Sequence, residues 1–377
     1  MRIAVNASIF DRRPSGLGSY ARSLLEALAP MHRDLVVFTS RPGELPKGRW
    51  IVPWGEPSEG RRGHLMRLAW SQTGLRLLCR RERVDILLNM LPEGPVRSPV
   101  PQLTIVHDIL PLFFPQEFPR QQWYFRTFVP SVLRHSAAVL TVSKQTRKDV
   151  IERYRLPSER VTVIYAGVDH HRFSPHADGP SAAYRFGLRQ YLLYVGNLLP
   201  HKNLARLIEA FAAVRGPVTL AIAGYRDPRY WPQLAKVAET LGIAPHVRFL
   251  DFVPETDLPS LYSGALGVVI PSLYEGFGLP VLEAMACGTP VIASTTPALR
   301  EAAGDAALPV DPNNIPGLAE AMRRLIEDAS LRTELRTKGL VRARKFTWEH
   351  TAHRVLENLD RVTRQSYGLA LNAANRE

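Results

Sequence analysis

Cysteine is nearly absent. Only Cys79 and Cys287 occur in 377 residues, and neither has a partner at metal-ligand or redox spacing. A disulfide framework is thereby excluded, and a reducing compartment fits. No run approaches the ~18 uninterrupted apolar residues of a spanning helix. The opening Met1–Asn6 run reads as a short strand, interrupted too soon for a signal peptide. The expected location is therefore the cytoplasm. Low-complexity tracts and short-period repeats are missing too, so any resemblance between the halves is architectural and not a sequence repeat. Charge balance is missing in one half only, where basic residues far outnumber acidic ones. Residues 1–185 hold 27 Lys+Arg against 16 Asp+Glu, whereas residues 186–377 hold 21 against 19. A basic half suits an anionic partner: nucleic acid, a phosphorylated small molecule or an anionic membrane face. An arginine-rich composition with solvated side chains gives the same sum, and charge alone does not choose between them.

What is present is a folded composition, 45% hydrophobic and 22% charged. At roughly 150 residues per domain, the length predicts two domains. A short β-branched run, a loop and an amphipathic helix recur along the chain. The first series includes Ile3–Ala7, Leu35–Thr39, Asp85–Asn89, Leu103–Val106 and Ala138–Val142. The rhythm restarts at Tyr191–Val195, Val218–Ala223, Val247–Leu250, Leu266–Ile270 and Pro290–Ala293. Continuous apolar strands alternating with helices predict parallel sheets covered on both faces. The fold class is α/β, with two doubly wound Rossmann-like domains facing a central cleft. The expected boundaries are residues 1–172 and 191–349, with a linker at 173–190 rich in Pro and Gly (Pro175, Gly179, Pro180, Gly187). A last helical pattern runs over about 350–370. In such folds ligands sit outside the carboxyl ends of the strands, so strand-to-helix loops carry the function.

Four loops stand out. Pro14-Ser15-Gly16-Leu17-Gly18-Ser19 follows the first strand. Gly16 and Gly18 allow close approach of backbone to an anion, or simply a flexible turn. No third glycine and no acidic strand end follow, so the dinucleotide fingerprint is incomplete. His107-Asp108 follows the strand Leu103–Val106, placing a titratable donor at a strand end. Gly196-Asn197-Leu198-Leu199-Pro200-His201-Lys202-Asn203 opens the second domain. Lys202 there adds a full charge at a helix N-terminus, with Asn203 as the expected N-cap. The fourth loop runs from Ser272 through Glu275-Gly276-Phe277-Gly278-Leu279-Pro280 to Glu283. Pro280 belongs in a first helical turn, so the helix is predicted to start near Gly278 or Leu279. The N–H groups of Gly276, Phe277, Gly278 and Leu279 then suit a diphosphate. Glu275 and Glu283 flank that position and suit neutral hydroxyls on either side of it. Apolar Val281, Leu282, Ala284 and Met285 mark a largely buried segment.

These motifs resemble the retaining glycosyltransferases of family four, with the two-Rossmann GT-B fold. The resemblance covers nearly the whole chain, and its strongest element is the Glu-x7-Glu spacing of Glu275 and Glu283. Similar pieces are Ala166-Gly167-Val168-Asp169, Gly196 through Asn203 and Phe346-Thr347-Trp348-Glu349. The resemblance implies a nucleotide-diphosphate sugar as donor, with Glu283 on the ribose and Glu275 on the transferred sugar. Lys202 and the amides from Gly276 to Leu279 would hold the diphosphate, and Gly16 would approach it. His107 would contact the sugar near the reacting centre. The N-terminal domain would bind the acceptor, and the C-terminal helix would cross back onto it. Many members carry arginine where this chain has Asn197. Transfer would retain the anomeric configuration, with the leaving diphosphate as base. No cofactor is expected. Asp-x-Asp occurs nowhere, so no metal is expected either. The Gly-x5-Lys-Asn form leans toward GDP-mannose over a UDP-hexose.

The basic half is the expected acceptor side. Arg61 through Arg83 forms a basic amphipathic stretch, and Gln121–Arg126 sets aromatics beside arginines. Such a face suits an anionic membrane carrying a polyprenyl-linked saccharide, at the inner face of the cell membrane. Alternatively Leu65, Leu68, Leu75 and Leu78 are packing residues and the arginines are solvated. A phosphorylase or nucleotide-sugar epimerase shares the fold as a competing reading. No nucleic-acid recognition module is visible, so nucleic acid is not an expected partner.

Overall fold

The computed structural model describes residues 1–10, 16–39, 49–51, 60–175, 181–214 and 216–374. The chain forms two compact units, Met1–Gly167 with Trp348–Glu377, and Val168–Thr347. The stretch expected as a linker, 173–190, belongs to the second unit, and residues 176–180 lie outside the described ones.

The first unit is built on β1 (Ile3–Asn6), β2 (Leu35–Phe38), β3 (Arg49–Ile51), β4 (Ile86–Asn89), β5 (Gln102–Val106), β6 (Ala138–Thr141) and β7 (Val161–Val163). Their order is β3-β2-β1-β4-β5-β6-β7, and all pairs are parallel. Every residue of β1, β2, β4, β5 and β6 is buried, because helices cover both faces. The C-terminal helix Trp348–Ala374 packs on the helix Gly16–Met31. It buries Ala352, Val355, Leu359 and Val362. At about 1.5–3 kcal/mol for each fully buried large aliphatic side chain, that stripe suffices to dock it.

The second unit contains β8 (Tyr191–Val195), β9 (Thr219–Ala223), β10 (Val247–Asp251), β11 (Gly267–Ile270), β12 (Val291–Ser294) and β13 (Leu308–Val310). The order is β10-β9-β8-β11-β12-β13, again all parallel. Both sheets are doubly wound, and strand order reverses between β1 and β4 and between β8 and β11. At a switch point adjacent loops diverge and leave a crevice at the carboxyl ends of the strands. The loops after β8 and β11 are the third and fourth motifs of the sequence.

Candidate functional site

The loop after β8 is shaped by close backbone packing. Gly196 has φ +151°, and its N–H donates to Ala223 O at 3.0 Å. Gly224, with φ +154°, lies so close that an added Cβ would stand 1.8 Å from Gly196 O. The buried Tyr194 hydroxyl donates to Asn197 O at 2.9 Å, and Leu198 is buried beneath the turn. The Asn197 side chain is exposed. A short 3-10 turn, Pro200–Lys202, then leads to the helix Leu204–Ala212.

Asn203 corrects the sequence reading. It occupies the position before the helix, but its side chain makes no capping bond. Its backbone is left-handed, φ +65°, a region asparagine tolerates better than most residues. The amide instead donates to Pro271 O at 3.0 Å and Pro312 O at 2.7 Å. It therefore ties the loop after β8 to the one after β11. Leu273 N–H, donating to His201 O at 2.8 Å, makes a second tie.

These ties bring Lys202 to Glu275 across the switch point. Lys202 Nζ lies 2.8 Å from both carboxylate oxygens, and Ser272 Oγ donates to Oε1 at 2.7 Å. The two side chains are 16% and 14% exposed, so the pair is shielded but reachable. An ammonium has three donors. Two face Glu275, and the third remains for a ligand oxygen.

The helix Leu279–Ala286 starts where Pro280 predicted. Gly278 sits at its N-cap with φ +114°, and an added Cβ would lie 2.6 Å from Leu299 Cδ2. No side chain caps this end. First-turn N–H groups have no intrahelical acceptor, and the helix dipole is positive there. A diphosphate suits such an end. Val281, Leu282, Ala284 and Met285 are fully buried and fix the helix against the sheet.

Glu283, one turn in, is half-buried and accepts from the Tyr262 hydroxyl at 2.8 Å. Burial raises its carboxyl above the usual carboxylate range, and Glu255 adds to this. The Tyr262 hydrogen bond and the Arg172 charge act in the opposite direction. Arg172 in turn pairs with Glu255 at 2.8 Å and covers the Phe173 ring at 4.5 Å. Neither glutamate presents an uncompensated charge: Lys202 balances Glu275, and the Tyr262 hydroxyl and the Arg172 charge act on Glu283. Tyr262, Arg172 and Glu255 were missed from sequence. The only local signal is Asp169, whose Oδ1 accepts from the N–H groups of His171 and Arg172 and so forms the turn that presents Arg172.

In the first unit, His107 follows β5. Its Nε2 lies 3.0 Å from Met90 O, after β4, which leaves Nδ1 as the acceptor nitrogen. Tyr20 meets the ring edge-on at 4.4 Å. Burial lowers the His107 pKa to about 4. Gly16 and Gly18 lie in the first turn of the helix Gly16–Met31, and an added Cβ at Gly16 would meet no atom within 4 Å. Pro14 and Ser15 lie outside the described residues.

The basic stretch is mixed in character. Arg67 is buried and pairs with Glu93 at 3.4 Å, so it is neither a solvated nor a surface-binding arginine. Leu75 packs inside, whereas Leu65 and Trp123 are about two-thirds exposed. Both thiols are buried and free, and burial pushes each up to about 12. Among the described residues no helix is long and apolar enough to cross a membrane.

His201, buried after β8, has its pKa lowered to about 3 by burial and by the Lys202 charge. A histidine with a depressed folded-state pKa binds its proton only in the unfolded chain between the two pKa values. Its contribution is complete above about pH 6.5 and declines as pH falls below that. The denaturation midpoint is expected to fall from pH 7 to pH 5. His201→Gln should reduce the slope by up to about 1.4 kcal/mol per pH unit. Identical slopes for the two proteins would contradict this.

Two Rossmann-type units, one with a lysine and an uncapped helix end at its switch point, define a protein of the GT-B class. Residues 14–172 match the family described as glycosyltransferase family 4, and residues 185–342 match glycosyl transferases group 1. The chain belongs to this glycosyltransferase family. It is 34% identical over 259 residues to O-antigen chain mannosyltransferase B of Escherichia coli, covering 66% of this chain and 67% of that protein. It is 33% identical over 224 residues to O-antigen chain mannosyltransferase RfbU of Salmonella typhimurium strain LT2, covering 59% and 60%. The match thus spans about two thirds of the first relative and less of the second. Among solved structures, Anabaena HepE in complex with UDP-glucose superposes with a TM-score of 0.77 at 20% identity, covering 96% of this chain and 99% of that one. That likeness establishes the GT-B fold.

Proposed function

We propose that this protein is a metal-independent, retaining hexosyltransferase. It moves a hexose, mannose in our reading, from a nucleotide-diphosphate sugar to a hydroxyl of a glycan or polyprenyl-linked saccharide during cell-surface polysaccharide synthesis. The observation that carries this is the Lys202–Glu275 pair at the β8/β11 switch point, beside the N-terminus of the helix that bears Glu283. Lys202 and the helix end stabilise the charge that develops on the departing diphosphate. Glu283 accepts the ribose hydroxyls, oriented by Tyr262. Glu275 holds Lys202 and accepts a sugar hydroxyl. His107, neutral at pH 7, offers Nδ1 as an acceptor to the sugar. The diphosphate, once leaving, takes the acceptor proton on the same face. GDP-mannose is favoured as donor because both relatives are named as mannosyltransferases, and UDP-hexose is the second choice. The basic first unit is read as meeting the acceptor at the cytoplasmic face of an anionic membrane.

The test is a panel of nucleotide sugars, screened by thermal shift and then assayed with lipid-linked acceptors. Product anomeric configuration is read by NMR. Transfer with inversion, or donor conversion without an acceptor, would overturn the proposal.

Glu283→Gln is expected to raise donor KM about 10- to 100-fold, the scale of a lost hydrogen bond to a charged group. Tyr262→Phe should raise it less, with kcat nearly unchanged. Unaltered KM in both variants would remove Glu283 from the ribose.

A further inference from the structure

The first unit holds a polar cavity of about 240 Å³, lined by Leu112, Phe125, Arg126, Pro130, Arg134, Arg153 and Tyr154. Three helices end there. Arg126 lies in the last turn of Pro119–Thr127, Arg134 in that of Val129–Arg134, and Arg153 in that of Lys144–Tyr154. All three arginines are exposed. Among the described residues, none of their guanidinium groups has a hydrogen bond or ion pair.

A simpler account is that arginine in a last helical turn complements the helix dipole, for about 0.3–1 kcal/mol each. Two of these helix ends already have other donors. The Tyr154 hydroxyl donates to Phe125 O at 3.0 Å. Arg160 Nη2 donates to Arg134 O at 2.9 Å and also to Ser136 O. The nearby carboxylate, Asp108, accepts from Leu110 N–H at 2.9 Å. The floor is rigid, because Tyr124, Val129, Leu133 and Tyr154 belong to one buried cluster. Three guanidinium groups therefore line one small space, with the Asp108 carboxylate near its Tyr154 wall. Its volume is below the roughly 300–1,000 Å³ of an ordinary small-molecule pocket, which suits a compact headgroup. Guanidinium groups match phosphate oxygens bidentately. Phe113, next in the chain to the lining Leu112, and Trp123, one turn before Arg126 on its helix, are exposed aromatics of the kind suited to a membrane–water boundary.

We propose that Arg126, Arg134 and Arg153 form an anion site for a phosphate or diphosphate monoester, carried by a lipid headgroup or free in solution. It stands on the first unit alone and does not depend on the donor reading. The test compares the full chain with the triple variant Arg126→Ala/Arg134→Ala/Arg153→Ala. One arm titrates inorganic pyrophosphate calorimetrically, with excess GDP and UDP filling any nucleotide site. The other measures co-sedimentation with phosphatidylcholine vesicles containing phosphatidic acid or, at matched charge, phosphatidylglycerol. At least a tenfold loss of pyrophosphate affinity in the variant is expected, or loss of a preference for phosphatidic acid over phosphatidylglycerol. Loss in the vesicle arm assigns a lipid source, and loss in the pyrophosphate arm alone a soluble one. Arg134→Glu, a single exposed change, should lose as much and serves if the triple variant misfolds. No difference between wild type and variants in either arm overturns the proposal.

Discussion

Lys202→Ala is expected to lower donor turnover about 10²- to 10³-fold, the usual cost of removing one preorganised donor from a transition-state anion. The same substitution should also destabilise the fold. It strands Glu275 in a 14%-exposed position with Ser272 as its remaining partner. Breaking a buried pair costs about 3–5 kcal/mol, and some exposure puts this case near the lower end. Glu275→Ala strands the lysine in the same way. The double variant removes both charges, so its melting temperature should recover part of the loss. Its turnover should not recover, because nothing replaces the ammonium in its proposed role at the diphosphate. This separation of stability from activity is the informative result. Turnover within threefold of wild type in Lys202→Ala would remove the lysine from the mechanism. A double variant no more stable than the singles would deny the energetic coupling.

Gly224→Ala should be the most damaging small substitution. Its Cβ would lie 1.8 Å from Gly196 O and 2.8 Å from Gly196 C, both backbone atoms. Backbone φ is +154°, where an L side chain is strained even in open space. Strain of that kind costs about 1–3 kcal/mol, and the clash adds to it because neither strand end can retreat. β8 and β9 pair along their whole length, Tyr191↔Thr219 through Val195↔Ala223. A loss above about 4 kcal/mol is expected, read as a denaturation midpoint or as insoluble expression. Gly242→Ala is the control: it has φ +70° and no atom within 4 Å of an added Cβ. It should cost about 1 kcal/mol. Similar midpoints for the two variants would show that the Gly224–Gly196 contact is not limiting. A folded Gly224→Ala protein with its turn displaced should bind the donor poorly, because Gly196 begins the loop that carries Lys202.

Much of this architecture was readable in the chain. Continuous apolar runs such as Leu35–Phe38 and Val291–Ser294 are the signature of strands buried on both faces. Pro280 marked the start of its helix to within a residue. The glycines and lysine of the third motif lie in the loop after β8, as their spacing required. Asn203 departs from the expected N-cap because its side-chain amide is engaged by the carbonyls of Pro271 and Pro312, which lie far away in sequence. Tyr262, Arg172 and Glu255 carried no periodic signal, since each is a single polar side chain on a separate element. Arg67 lies in the stretch read as a membrane-facing basic face or, alternatively, as solvated arginines, and its buried pairing with Glu93 fits neither.

By itself the sequence determined the elements, their burial and the residue types at each strand end, because these follow from local periodicity and backbone preference. Only the tertiary structure decided the charge partners. Lys202 and Glu275 are 73 residues apart, and they meet because strand order seats β11 beside β8. Arg126, Arg134 and Arg153 surround one cavity because three helix ends converge there. Coulombic and hydrogen-bond partners depend on distance in space, and sheet topology sets that distance.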